Sequence, residues 1–292
     1  MKLGTRGSAL ARWQADWVRG RLAALGVAVE IVVITTRGDA EVDRPLHELE
    51  GKGFFTKEIE DALLAGRIDV AVHSLKDLPT QLPTGLALGA VPARHDPRDA
   101  LVGGTRLSDL PQGARIGTSS LRRVTQLRYL RPDLHVVPLR GNVPTRVRKA
   151  LSGEGCDAAL LALAGLERLS LGDRAAPIDP LDVMPAPGQG ALGLEIRVDD
   201  VPTRDALRPL GDAASARAVA AERAVLAALG GGCQAPVAAW VDGERLFGRV
   251  TERDGAVQLT ASARIDPARP EAAGEAVARL LEAQGAASLL AR

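Results

Sequence analysis

A lysine and an aspartate, Lys76 and Asp77, follow an apolar run within residues 69–79, DVAVHSLKDLP. The run predicts a central strand of a parallel sheet, so both charged side chains would lie at its carboxyl end, where open α/β sheets place their ligand sites. Asp77 is therefore the candidate for acid–base chemistry. A strand followed by an ordinary solvated loop is the simpler interpretation of this stretch alone, and the other motifs must decide. His73 lies within the strand, which favours packing and hydrogen bonding for it over catalysis.

A second candidate is a basic segment at residues 115–149. It contains nine basic side chains and a single acidic one, Asp133. Arg122 and Arg123 fall in the first turn of a predicted helix, where the helix dipole disfavours cations. Because this placement is unfavourable by itself, it indicates an anion bound at the start of the helix. Backbone amides, hydroxyls and guanidinia would hold that anion together. The hydroxyls would come from Ser119 and Ser120. A solvated basic face is the simpler interpretation of the later members, which are Arg128, Arg131, Arg148 and Lys149.

Three further parts of the sequence have two interpretations each. Arg6 and Ser8 lie at a strand-to-helix turn that favours anions, although Ser8 alone is also a plain helix cap. Lys52 lies in an aperiodic segment, 41–55, that is either a mobile loop near the site or a surface loop without function. Cys233 follows three glycines and is either a nucleophile or a small apolar residue, whereas Cys156 precedes a core strand and is expected to be packing.

Composition excludes several classes of protein. The 292 residues carry 37 Lys and Arg against 36 Asp and Glu, a net charge of +1, so no overall field attracts nucleic acid or membrane. Two cysteines cannot form a disulfide framework. The start MKLGTRGSAL lacks an apolar signal core, and the longest apolar run, 158–166, is too short for a bilayer. We expect a soluble cytoplasmic protein.

Hydrophobic periodicity predicts two α/β units. In the first, strands at 2–5, 29–36 and 68–74 alternate with a helix after Ser8 and a helix at 56–65, and a further strand at 86–91 follows. The first helix shows an apolar stripe of Leu10, Trp13, Trp17 and Leu25. In the second, strands at 115–117, 135–139 and 157–163 alternate with helices starting near 120 and 144. The alternation predicts parallel sheets covered by helices.

The last third of the chain differs. Residues 184–190, MPAPGQG, form an irregular connection, and a strand at 191–198 is expected to return to the first sheet, so that two crossings join the α/β domains in a hinged cleft. A helix at 213–229 then precedes strands at 236–241, 245–250 and 256–264, with Asp-Gly turn signals between them and a helix up to residue 290. This pattern predicts a small α+β domain with an antiparallel three-stranded sheet.

The motifs together resemble the porphobilinogen deaminase, or hydroxymethylbilane synthase, family. They occur in the family's order along almost the entire chain: GTRGSALARWQ, TTRGD, GKGFFTKE, DVAVHSLKDLP, DPRDA, GTSSLRR, LRGN, PAPGQG and GGCQAP. The resemblance implies two α/β domains like type II periplasmic binding proteins, joined by a double-crossing hinge, plus the C-terminal α+β domain. The implied bounds are 1–92 plus 191–210 for domain 1, 96–186 for domain 2 and 213–292 for domain 3.

The resemblance also implies the reaction. The family joins four porphobilinogen molecules head to tail, with loss of ammonia, into the linear tetrapyrrole hydroxymethylbilane of haem biosynthesis. The chain grows on a dipyrromethane cofactor in thioether linkage to a cysteine, which matches Cys233, and the family's catalytic aspartate matches Asp77. Further matches for holding the cofactor are Lys76, Ser119, Ser120, Arg122, Arg123 and Gln189. Those for the substrate are Arg6, Ser8, Arg140, Arg146, Arg168 and Lys52.

The resemblance implies no metal, nucleic-acid or membrane partner and suggests a monomer. A cytosolic binding module for a small carboxylate is the alternative that paired α/β lobes alone would support. Asp77 and Cys233 separate the two hypotheses, because a binding module needs neither residue.

Overall fold

The computed structural model describes residues 1–36, 38, 56–104, 106–232 and 235–291, and the chain folds into two compact units. Unit 1 contains residues 1–95 and 191–216, and unit 2 contains residues 96–190 and 217–292. The chain therefore passes from unit 1 into unit 2 and back, as the two predicted crossings require. Residues 213–292 as a separate third domain stay a prediction.

The secondary-structure elements alternate in type through most of the chain. Within the described ranges the strands are β1 (Lys2–Thr5), β2 (Glu30–Val33), β3 (Val70–Ser74), β4 (Leu86–Ala90), β5 (Asp99–Val102), β6 (Arg115–Gly117), β7 (His135–Val137), β8 (Ala158–Ala162), β9 (Ala175–Pro177), β10 (Leu192–Arg197), β11 (Val237–Asp242), β12 (Arg245–Thr251) and β13 (Gln258–Arg264). The α-helices there are α1 (Ala9–Ala23), α2 (Lys57–Leu64), α3 (Leu121–Leu130), α4 (Val143–Ser152), α5 (Leu163–Arg168), α6 (Val201–Leu207), α7 (Ala213–Ala228), α8 (Pro270–Ala283) and α9 (Ala286–Leu290).

Unit 1 contains a five-stranded sheet in the order β2-β1-β3-β10-β4. Strands β1, β2 and β3 are parallel, whereas β10 runs antiparallel to both β3 and β4. The predicted return of residues 191–198 to the first sheet is thus confirmed. Strand β3 is central, and Gly193 of β10 lies opposite His73. A Cβ atom at Gly193 would lie 2.4 Å from Leu75 Cδ1, so a larger residue at this position would displace the Leu75 side chain.

Unit 2 repeats this arrangement in the order β7-β6-β8-β5-β9, with β6 parallel to β7 and β8, and with β5 antiparallel to β8 and β9. In both sheets the antiparallel strand lies fourth, next to the third strand of the parallel series. The predicted half-repeat is therefore confirmed. Strand β5 itself lies beyond the predicted turn at 92–97 and was not predicted, because four residues are too few to show a period.

The C-terminal sheet is antiparallel in the order β11-β12-β13, as predicted. Its buried face packs on α7, α8 and α9 through residues that include Val225, Leu246 and Val277. The single helix expected up to residue 290 is wrong: α8 ends at Ala283, and Gly285 at φ 101° separates it from α9. The α/β class with an antiparallel C-terminal sheet is confirmed.

Helix α1 lies on the sheet of unit 1 by a different face from the predicted one. Its buried residues are Ala11, Gln14, Ala15, Val18 and Leu22. Small alanine side chains allow a helix to approach a sheet closely, which leaves the larger rings at the flank. Trp17 is accordingly only partly buried against the core, and Leu25, assigned to the apolar stripe, is 50% exposed.

The described helices include none that is both long enough and apolar enough to span a bilayer.

Candidate active site

Strand β3 delivers Lys76 and Asp77 at its carboxyl end. The strand is buried up to His73, and a 3₁₀ turn, Leu75–Asp77, follows it directly. The turn is held by the Leu75 N–H, which donates to the Ala191 carbonyl over 3.0 Å. Lys76 and Asp77 are both half-buried. The predicted position of the charged pair, at the end of a central strand, is therefore confirmed.

A cavity of about 70 Å³ lies at this strand end and brings three predicted site residues together. Arg6 and Ser8 come from the turn between β1 and α1, and Asp77 comes from the turn after β3. The Ser8 hydroxyl accepts the Ala11 N–H over 3.2 Å, so it is a helix cap as well as a cavity residue. We call this the Asp77 cavity; the described residues that line it are Arg6, Ser8, Leu10, Ala11, Gln14, Thr56, Val72, His73, Ser74 and Asp77.

Hydrogen bonds from α1 and β10 hold the last two residues of β3 in place. The Gln14 side-chain amide donates to Ser74 Oγ over 2.9 Å, and His73 Nε2 lies 3.1 Å from Glu195 Oε2. Sequence reasoning missed Gln14 and Glu195. A signal was present for each, since Gln14 lies on the alanine-rich face of α1, and Glu195 interrupts the apolar strand β10. The expected hydrogen-bonding role of His73 is confirmed.

Glu60 of α2 adds a second buried carboxyl group beside this pair. Burial raises the pKa of Glu60, and the negative charge of Glu195 raises it further. Within the described ranges, Glu60 Oε1 and Glu195 Oε1 are buried without a hydrogen-bond partner. Buried polar oxygens of this kind are normally satisfied by a proton donor such as water.

Unit 2 contains a different constellation, which we call the arginine cluster: Arg122, Arg123, Asp99 and Gln189. Arg122 Nη2 lies 2.8 Å from Asp99 Oδ2, and Arg123 Nη2 lies 2.7 Å from Asp99 Oδ1. The Gln189 amide also donates to Asp99 Oδ1, over 2.7 Å. All four residues are buried. Both arginines therefore contact a carboxylate of the protein itself, which the sequence analysis missed, and their contact with an anionic ligand stays a prediction.

Electrostatics in the arginine cluster favour the ionised carboxylate. Burial alone would raise the pKa of Asp99, but the charges of Arg122 and Arg123 outweigh burial and hold that pKa well below its ordinary value. Burial lowers the pKa of Arg122, and the charge of Asp99 opposes that effect. The cluster thus contains one negative and two positive side chains.

The hydroxyls of Ser119 and Ser120 are predicted to bind the same anion as the two arginines, and their observed contacts are local. The Ser119 hydroxyl donates to the Leu139 carbonyl over 3.0 Å and accepts the Leu139 N–H over 3.1 Å. Ser120 is the N-cap residue of α3 but makes no side-chain capping bond. The contact of both hydroxyls with a ligand stays a prediction.

The remaining predicted arginines lie in unit 2. Arg146 Nε donates to the Gly141 carbonyl over 2.7 Å, and Arg168 Nη2 donates to the Gly190 carbonyl over 2.6 Å. Burial lowers the pKa of Arg168 to about 10, which leaves it charged at neutral pH. Arg140 is half-buried shortly after β7. Lys52 and Cys233 lie outside the described residues.

Cys156 belongs to the core rather than to a site. It is fully buried in unit 2, as predicted. Among the residues that the structure describes, no group of three or more His, Cys, Asp and Glu side chains is arranged to hold a metal ion.

Two family models match the chain in sequence. The model described as "Porphobilinogen deaminase, dipyromethane cofactor binding domain" matches residues 1–205. The model described as "Porphobilinogen deaminase, C-terminal domain" matches residues 216–283.

Full-length relatives agree with these models. A porphobilinogen deaminase of Syntrophotalea carbinolica is 50% identical over 300 residues, which cover 100% of this chain and 95% of the relative. One from Acidithiobacillus ferrooxidans is 50% identical over 299 residues, covering 99% and 97%. Among solved structures, a periplasmic substrate-binding protein of an ABC transporter from Coxiella burnetii is 14% identical, with a TM-score of 0.45 over 76% of this chain and 96% of that one.

Proposed function

This chain belongs to the porphobilinogen deaminase family, and on that premise we propose that it is the transferase that deaminates four porphobilinogen molecules and joins them into linear hydroxymethylbilane on a dipyrromethane primer. The observation that carries the assignment of its chemistry is the Asp77 cavity. There a carboxylate, a guanidinium and a hydroxyl from two separate turns line one small space.

Asp77 has the properties that the chemistry needs. Porphobilinogen carries an acetate, a propionate and an aminomethyl group, and its loss of ammonia requires a proton on the leaving nitrogen and produces a cationic azafulvene. A carboxylate can hold that proton, stabilise the cation and then accept the α-proton after the growing chain attacks. Asp77 is only half-buried, so it is accessible to a substrate. We assign it these three roles.

Arg6 and Ser8 supply the binding partners for a substrate carboxylate in the Asp77 cavity. A guanidinium binds carboxylate through two parallel N–H donors, and the adjacent N-terminus of α1 adds a favourable dipole. We assign Arg140, Arg146, Arg168 and Lys52 to further carboxylates of the substrate and of the growing chain.

The arginine cluster fits the carboxylates of a dipyrromethane. Its two guanidinia face a single carboxylate of the protein, and Arg122 Nε and Arg123 Nε are buried without an acceptor in the part of the chain that the structure describes. A further anion would supply both the missing acceptor and the missing negative charge. We assign the cofactor contacts to Arg122, Arg123 and Gln189 together with Lys76, Ser119 and Ser120, and the thioether to Cys233. When bound, the dipyrromethane supplies the pyrrole carbon on which the chain grows.

We further infer that the protein works in the cytoplasm, as a monomer, without nucleic acid or membrane partners. The net charge of +1 supports the inferred absence of nucleic-acid and membrane partners, because it provides no overall attraction to polyanions or to anionic lipid.

Intact-mass spectrometry of the purified protein, with and without porphobilinogen, tests the proposal. We expect a mass above the sequence mass by one dipyrromethane, an Ehrlich colour after acid treatment, and discrete heavier species when substrate is added. The matched variants are Cys233→Ser, which should lose the added mass, and Cys156→Ser, which should keep it. A folded, unmodified wild-type protein that binds porphobilinogen without releasing ammonia would instead be a carboxylate-binding module.

A further inference from the structure

His73 connects a buried carboxylate of unit 1 with the Asp77 cavity. Its Nε2 is 3.1 Å from Glu195 Oε2, and both side chains are almost completely buried. His73 also lines the Asp77 cavity, together with Asp77 itself. A buried carboxylate accepts a hydrogen bond from one ring nitrogen, and this fixes the imidazole in position with its Nε2 protonated.

Glu60 is the second carboxyl group near this pair. Burial raises the pKa of Glu60, and the charge of Glu195 raises it further. Glu195 is the carboxyl group that contacts the imidazole directly, at 3.1 Å from Nε2. An adjacent anion stabilises an imidazolium, so the pair can hold a proton and give it back.

The Asp77 cavity offers a path for that proton. Its volume of about 70 Å³ is sufficient for at least one water molecule. The charged or titratable groups near His73 in the described structure include Arg6 from the turn after β1, Glu60 from α2, Glu195 from β10 and Asp77 from the turn after β3. Among these four, Asp77 is the one that the proposed reaction requires to change its protonation state twice for each added unit.

We propose that His73, oriented by Glu195, is a positioning residue that acts through Asp77. It accepts, through water of the cavity, the proton that Asp77 has taken from the substrate α-carbon, and it returns a proton to Asp77 for the next leaving nitrogen. The step is balanced: a protonated Asp77 and a neutral imidazole become a carboxylate and an imidazolium, and the reverse transfer restores both. This inference rests on the proposed function.

The test compares the holoprotein of wild type with that of His73→Gln and Glu195→Gln. The measurement is ammonia release at saturating porphobilinogen between about pH 5.5 and about pH 9, the range in which histidine titrates. We expect His73→Gln to lower kcat about tenfold or more while KM changes less than about twofold, and to remove one limb of the pH profile. In Glu195→Gln that limb should move to lower pH, because the imidazolium loses its anion, and Glu195→Asp should restore it in part.

The matched control is His135→Gln, which makes the same change at an exposed position of β7 and should leave kcat and the pH profile unchanged. A pH profile parallel to that of wild type in both test variants, at any kcat, would overturn the inference and leave His73 as a packing residue. If His73→Gln does not fold, Glu195→Gln alone decides. An inactive wild-type protein would refute the proposed function, whereas an active wild type with unshifted variants would refute only the role of His73.

Discussion

The Asp77 cavity and the arginine cluster bury charge in opposite ways. In the arginine cluster, two guanidinia share one carboxylate of the protein, Asp99, at 2.7 and 2.8 Å, so charge is compensated internally. Around the Asp77 cavity, two carboxyl groups, Glu60 and Glu195, are buried near one imidazole, and oxygens of both remain without a hydrogen-bond partner in the described structure. The charges of the first region are therefore paired within the protein, whereas the second region keeps carboxyl oxygens that can still accept a hydrogen bond.

The largest expected effect comes from changing the carboxylate of the Asp77 cavity. Asp77→Glu keeps the charge but moves it by one methylene, so we expect turnover to fall by about 10²-fold or more while the dipyrromethane is retained. Ammonia release and intact mass measure the two properties separately. Asp16→Glu makes the same change at an exposed position paired with Arg19 and should leave turnover unchanged. Undiminished ammonia release from Asp77→Glu would remove Asp77 from the mechanism.

In the arginine cluster the corresponding change should affect stability first. Asp99→Asn leaves two buried guanidinia without a counter-charge, and we expect the free energy of unfolding at pH 7 to fall by about 3 kcal/mol. Chemical denaturation measures it. Asp157→Asn in the same unit removes a carboxylate paired with Arg115 that is 45% exposed, and should cost less than about 1 kcal/mol.

The same variant has a defined dependence on pH. Because the pKa of Asp99 is lowered in the folded protein, its stabilisation is present above the unfolded value of about 3.9 and is lost as the pH falls below it. The stability difference between wild type and Asp99→Asn should therefore shrink below about pH 4. A difference that does not change with pH would show that the charge of Asp99 is not what stabilises the cluster.

The smallest expected effect is a gain in stability rather than a loss, and it comes from a change at Glu60, beside the Asp77 cavity. The pKa of Glu60 is raised in the folded protein, so its ionisation opposes folding as the pH rises above the unfolded value of about 4.3. Glu60→Gln should match wild type in stability below that pH and exceed it at pH 7, as measured by the thermal midpoint. Glu30→Gln, at the exposed start of β2, is the control. Equal midpoints of Glu60→Gln and wild type at pH 7 would contradict the contrast between the two regions.

Periodicity and turn signals were sufficient to predict the architecture. The return of residues 191–198 to the first sheet, the half-repeat in unit 2 and the antiparallel C-terminal sheet all follow from patterns that extend over many residues. The errors occurred where the pattern was short or misleading. Strand β5 has only four residues. In α1 the bulky apolar residues were predicted to form the buried face, but the buried face contains small alanines instead.

The same limit explains what was missed in the candidate site. Asp77, Arg122 and Arg123 were visible as candidates because each breaks a local pattern. Their partners were not visible in the sequence, because they come from distant strands. Asp99 is 23 residues away from Arg122, and Glu195 is 122 residues away from His73. Pairing over such separations is fixed by sheet topology, which one sequence specifies only through the fold.

The position of β10 has a consequence for how the protein is made. The sheet of unit 1 has β10 between β3 and β4, so it cannot be completed until residue 197 has left the ribosome. The five-stranded sheet of unit 2 contains only β5 to β9, which lie between residues 99 and 177. It can therefore be completed before the sheet of unit 1, although β1 to β4 are synthesised first. During synthesis, β3, which carries Asp77 at its end, therefore has one unpaired edge until β10, the last strand of its sheet, has been made.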